Sequence, residues 1–143
     1  MVHEGHPVKR PTMQDSINYG KYLTSAAACI DCHTPVTGKG ELVMDKAFSG
    51  NREFPLEGGG SIFSTNITFD KNTGIGNWDK NRFIHVFKSY DLSSYVPAKI
   101  EKGDINTLMP WTMFAKMDTV DLVAIYQYLK SLPAIESTVA KSK

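Results

Sequence analysis

A chain of 143 residues with 41% hydrophobic side chains has material for one domain around a single core. Its 16 Lys and Arg against 15 Asp and Glu leave a formal charge of +1, which argues against a nucleic-acid binder or a polybasic membrane patch. No apolar run reaches the roughly 18 residues of a membrane span.

Residues 1–13 carry His3, His6, Pro7 and Pro11 without periodicity and read as an extended arm. The two histidines are read as solvated rather than as metal ligands. The first seven residues lack the apolar h-region of a signal peptide. Ser16 or Asp15 is an acceptable N-cap for a first helix. Its apolar stripe runs through Ile17, Tyr19, Tyr22, Leu23, Ala26, Ala27 and Ile30. Gly20, in its middle, costs roughly 1 kcal/mol of helix propensity against Ala, which a closely crossing partner would justify. The helix is expected to continue through Cys29-Ile30-Asp31-Cys32-His33 and to stop by Thr34-Pro35.

Those five residues are a C-x-x-C-H run, the attachment pattern of a covalent c-type haem. Two thiols three positions apart match the two vinyl groups of one porphyrin, and His33 follows as proximal iron ligand. Both cysteines of the chain lie in this run. A thioredoxin-like pair would want a βαβ context and gives His33 no role. A zinc site would want a second Cys/His pair. Thioether attachment in bacteria takes place outside the cytoplasm, so the expected location is periplasmic, an export signal having been removed.

Residues 36–76 are rich in Gly, Asn, Ser and Thr, a long connection that is expected to cover a cofactor or carry function. Gly58-Gly59-Gly60 lacks the Lys-Ser/Thr of a phosphate loop. Asn66-Ile67-Thr68 matches a glycosylation sequon, read as idle. The apolar Phe48, Phe54, Leu56, Ile62, Phe63, Ile67 and Phe69 are expected to pack on the haem edge or seal its lower face. A middle helix is predicted from Trp78-Asp79 to about Tyr90, on the i, i+4, i+7 spacing of Phe83, Phe87 and Tyr90. It contains His85, a rival for the sixth iron position. Trp78 is a candidate donor to a haem propionate. A last helix is predicted after Asp118, with Leu122, Ile125, Tyr126 and Leu129 in register and an end at Leu132-Pro133. Residues 134–143 read as a frayed tail.

Between these helices Met109, Met113 and Met117 make up half of the six methionines. Thioether ligation raises the potential of a haem iron, so a Met/His pair suits electron transfer. Met109 precedes Pro110 and leaves nine positions before Asp118, room for a loop to rise from the iron. Met113 leaves less, and Met117 adjoins the cap. Each is equally at home as a gap-filling core residue.

Together these motifs resemble a class I c-type cytochrome, and more closely the haem modules of bacterial alcohol-dehydrogenase-type cytochrome c subunits. The resemblance is carried by Gly20-Lys21-Tyr22-Leu23, Ala26-Ala27-Ala28-Cys29, Thr65-Asn66-Ile67-Thr68, Thr73-Gly74-Ile75-Gly76-Asn77-Trp78 and Met109-Pro110-Trp111. Asp121-Leu122, Ala124-Ile125-Tyr126 and Tyr128-Leu129 extend it, over about residues 16–133. It implies an all-α cytochrome c fold, three to five helices around one covalently bound haem c with a long Gly-rich loop. Residues 14–133 would form that domain, with thioethers at Cys29 and Cys32, His33 as proximal and Met109 as distal ligand. The single C-x-x-C-H predicts a monohaem electron carrier with protein redox partners rather than an enzyme. A haem enzyme or sensor with an exchangeable sixth ligand, and a permanently docked dehydrogenase subunit, are the competing expectations.

Overall fold

The computed structural model describes residues 9–56, 59–97, 99 and 107–140; His3 and His6 lie outside them. Asp15 caps α1 (Ser16–Ala26), its carboxylate accepting the Asn18 N–H at 3.2 Å. The helix does not run on into the cysteine motif as expected. It ends at Ala26, Ala28 turns left-handed with φ 54°, and the motif occupies a separate short helix, α2 (Cys29–His33). A left-handed alanine costs about 1–2 kcal/mol, so this break is set by the packing on either side rather than by local preference. Thr34 then becomes extended ahead of Pro35, as the proline ring requires.

The long connection is not purely irregular. β1 (Glu53–Pro55) and β2 (Ser61–Phe63) pair antiparallel, with Phe54 opposite Ile62. The all-α expectation is corrected to a mostly helical chain with one small hairpin. Strands of three residues are too short to leave an alternation in the sequence. Asp79 caps α3 (Lys80–Lys88) by accepting the Arg82 N–H at 2.7 Å. The methionine-rich segment contains a further single-turn helix, α4 (Trp111–Phe114), before α5 (Thr119–Ser131).

α1 and α5 cross at Gly20. A Cβ there would lie 2.1 Å from the Ala124 carbonyl oxygen and 2.8 Å from Tyr128 Cβ, so only glycine admits this approach. Beside the crossing, the buried Tyr19 donates its hydroxyl to Asp121 Oδ1 at 2.8 Å and accepts from Arg10 at 2.7 Å. The core joins Phe48 and Ile75 of the connection to Phe83 of α3 and Ile125, Tyr126 and Leu129 of α5. Phe69 and Phe83 meet the Tyr126 ring edge-on at 5.1 and 5.5 Å. Phe48 lies in this core, and Ile67 and Phe69 pack against it.

Residues 134–140 do not fray. They lie along the connection, bonded to Asn51, Asn66, Thr68 and Thr73. Among the described residues no helix is long and apolar enough to cross a membrane.

Candidate haem site

The short α2 presents Cys29, Cys32 and His33 in slightly more than one turn. Cys29 is half-buried and Cys32 exposed, and both are free thiols. Burial pushes the Cys29 thiol up to about 11. A thiol so protonated is a poor nucleophile at neutral pH, the reverse of the depressed pKa that a redox C-x-x-C needs.

His33 is fixed from behind. Its Nδ1 lies 2.8 Å from the Thr65 carbonyl oxygen. A carbonyl only accepts, so Nδ1 carries the hydrogen and, in the neutral ring, Nε2 keeps the lone pair. Burial lowers the His33 pKa, partly opposed by that hydrogen bond. With Nδ1–H committed to the carbonyl the tautomer is chosen, and Nε2 is the nitrogen left to ligate a metal. The backbone is fixed as well: Gly50 N–H donates to the His33 carbonyl at 2.8 Å. Arg52 donates to the Asp31 carbonyl inside the motif.

An apolar cavity of about 20 Å³ beside Cys29 is lined by Ala27, Phe87, Met109, Phe114, Met117 and Ile125 as well. The fold thus brings two of the three candidate methionines to Cys29. Met113 is 71% exposed and is not among the walls. His85 is exposed on α3 and is not among them either.

Met109 and Met117 are held differently. Met117 packs against the core cluster, and its carbonyl accepts from Lys88 Nζ at 2.5 Å. Lys88 also bonds the Ala115 carbonyl at 2.9 Å, tying the end of α4 to α3. Met109 sits ahead of this clamp, where Pro110 begins α4. Trp111 stacks on Tyr90 at 4.8 Å and meets Phe87 edge-on at 5.5 Å. The segment that presents Met109 is thereby anchored on α3 by an aromatic cluster that the sequence did not announce. Its signal was Trp111 directly after Met-Pro.

Trp78 is half-buried against the core, with the Arg82 guanidinium 4.9 Å over its ring. Its carbonyl accepts from Tyr126 at 3.1 Å.

Among the described buried side-chain polar atoms, Ser49 Oγ alone has no hydrogen-bond partner; it lies next to Gly50 on the His33 side. The donor set fits a haem: two adjacent thiols, an imidazole with a committed Nδ1, thioether sulfurs beside an apolar cavity, and a spare buried hydroxyl. A larger groove of about 550 Å³ lies elsewhere, lined by Lys9, Arg10, Asn18, Lys21 and Tyr22, and includes none of these residues.

The described residues thus carry the C-x-x-C-H motif on a mostly helical scaffold. Over most of its length the chain is similar to cytochrome subunits of dehydrogenases. It is 30% identical over 115 residues to the gluconate 2-dehydrogenase cytochrome c subunit of Pantoea cypripedii, covering 78% of this chain and 22% of that protein. It is 30% identical over 114 residues to the alcohol dehydrogenase (quinone) cytochrome c subunit of Gluconobacter oxydans, 78% of this chain and 20% of that protein. It is also 28% identical over 123 residues to the fructose dehydrogenase cytochrome subunit of Gluconobacter japonicus, 86% of this chain and 22% of that protein. The chain therefore spans less than a quarter of the length of these relatives. No family model matches it. The resemblance read from the motifs is borne out by these relatives.

Proposed function

We propose that this chain is a single-electron carrier module holding one covalent haem c, attached at Cys29 and Cys32, with His33 and Met109 as axial ligands. The observation that carries the reading is the His33 ring, locked through Nδ1 by the Thr65 carbonyl, directly after the two free thiols. When bound, the haem supplies a reversible one-electron change at its iron. The protein's residues do the rest. The Thr65 carbonyl keeps the His33 tautomer fixed through that change. Phe87, Phe114 and Ile125 keep water from the Met109 side. Trp78 is the donor proposed for a propionate, with the Arg82 cation over its ring. Met109 is preferred to Met117 because the carbonyl of Met117 is clamped by Lys88 and its side chain already serves the core.

Donor and acceptor are protein redox partners outside the cytoplasm, where thioether attachment takes place, and the chain itself performs no substrate chemistry. Relatives that are named as subunits of dehydrogenases support a dehydrogenase as donor.

Intact mass and visible spectra test the reading. The expected mass is that of the chain plus one haem, lost in Cys29→Ser with Cys32→Ser. The expected reduced protein is low-spin and unreactive to carbon monoxide. A reduced iron that binds carbon monoxide readily would replace the carrier by the haem enzyme or sensor reading.

A further inference from the structure

The proximal histidine is oriented by a carbonyl that belongs to an exposed loop residue, Thr65. A loop carbonyl orients a ring only if its own peptide plane is held. On one side, Asn51 N–H donates to the Ser64 carbonyl at 2.9 Å and Ser64 N–H to the Arg52 carbonyl at 3.0 Å. On the other side stands Asn66, 3% exposed, with every hydrogen-bonding position of its amide used. Its Nδ2 donates to Thr73 Oγ1 at 3.0 Å and to the Ile135 carbonyl at 2.8 Å. Its Oδ1 accepts from Thr68 N–H at 2.9 Å and from Thr68 Oγ1 at 2.8 Å.

Ile135 belongs to the extended C-terminal segment, which is fastened at three further places. Ile135 N–H donates to Thr68 Oγ1 at 3.2 Å, and Ser137 N–H to Thr73 Oγ1 at 2.9 Å. Asn51 takes the Ala140 N–H at 2.8 Å and donates to the Thr138 carbonyl at 3.0 Å. Asn51 thus holds the peptide before Thr65, Asn66 is the next residue of the 65–66 peptide that bears the Thr65 carbonyl, and both side chains are tied to the same strap.

We infer that Asn66 is a positioning residue for the proximal ligand, and that segment 134–140 is the strap through which it acts. Asn66 touches neither His33 nor a cofactor; it holds the peptide whose carbonyl receives the His33 N–H. The inference rests on the proposed function only in calling His33 the proximal ligand. The hydrogen bond it concerns is made by Nδ1 and leaves Nε2 unengaged.

The test is hydrogen exchange of the His33 Nδ1–H, followed by ¹⁵N nuclear magnetic resonance in the reduced full chain. Asn66→Asp keeps the shape and the acceptor but replaces donation to the Ile135 carbonyl by repulsion. It is expected to speed Nδ1–H exchange about tenfold or more. Asn51→Ala, which loosens the same strap without touching Asn66, is expected to move exchange in the same direction by less. It keeps the test open should the aspartate variant fold poorly. Variants that melt earlier while Nδ1–H exchange stays at the parent rate would overturn the inference, leaving Asn66 a purely structural asparagine. A failure of the haem reading would show separately, as a parent chain without haem absorbance.

Discussion

At the scale of single residues, Gly50 shows how tightly the surroundings of His33 are built. Its φ of +77° is a left-handed conformation, costly for any residue with a Cβ. A Cβ there would lie 2.6 Å from the Ser64 carbonyl oxygen and the Thr65 carbonyl carbon, in backbone that cannot rotate away. Its N–H meanwhile holds the His33 carbonyl. Gly50→Ala is therefore expected to destabilise the chain by more than about 1 kcal/mol, read from the midpoint of denaturant unfolding. A neutral or stabilising effect would mean that the 64–66 backbone is free to move. The motif residues were legible in the sequence because a covalent attachment forces two thiols and an imidazole into five consecutive positions. Thr65 was not. It lies 32 residues from His33 and acts through a carbonyl, which every residue possesses. Asn66 was not picked out for a related reason: its sequon was read as idle, in keeping with its burial, and the partners that use its amide lie up to 69 residues away.

Among the elements, the α1–α5 crossing sets two effects against each other at Gly20. Helix propensity favours Gly20→Ala by roughly 1 kcal/mol. Packing opposes it, because the new Cβ would sit 2.1 Å from the Ala124 carbonyl oxygen, and overpacking costs about 1–3 kcal/mol. The intruded atom is backbone and the helices can relieve it only by separating, so packing wins. Gly20→Ala is expected to lower the thermal midpoint, and a raised midpoint would show that the helices do not cross as described. This contact was legible, since a glycine inside an apolar stripe asks for a reason. The hairpin, the break at Ala28 and the single turn α4 were not, because each is a response to packing and leaves no local pattern. The strap was hidden because Ala134 to Ala140 carries no helical or alternating pattern. Its bonds use mainly its backbone groups, while the side chains that hold it, Asn51, Asn66, Thr68 and Thr73, lie far back in the chain.

For the whole molecule, these pieces divide the work around one motif. The connection, braced by the strap, fixes His33 from behind. Phe87 and Lys88 of α3, with Tyr90 just beyond its end, hold the segment that carries Met109 and Met117. α1 and α5 supply the frame. The proposed carrier would need both ligands kept in place through a change of charge, and two separately anchored segments would meet that need. The methionine–iron charge-transfer band of the oxidised protein measures the outcome most directly. The account predicts that Met109→Ala abolishes the band and lets carbon monoxide bind the reduced iron, while Met117→Ala keeps the band and loses only stability. A band that survives in Met109→Ala and vanishes in Met117→Ala would contradict it.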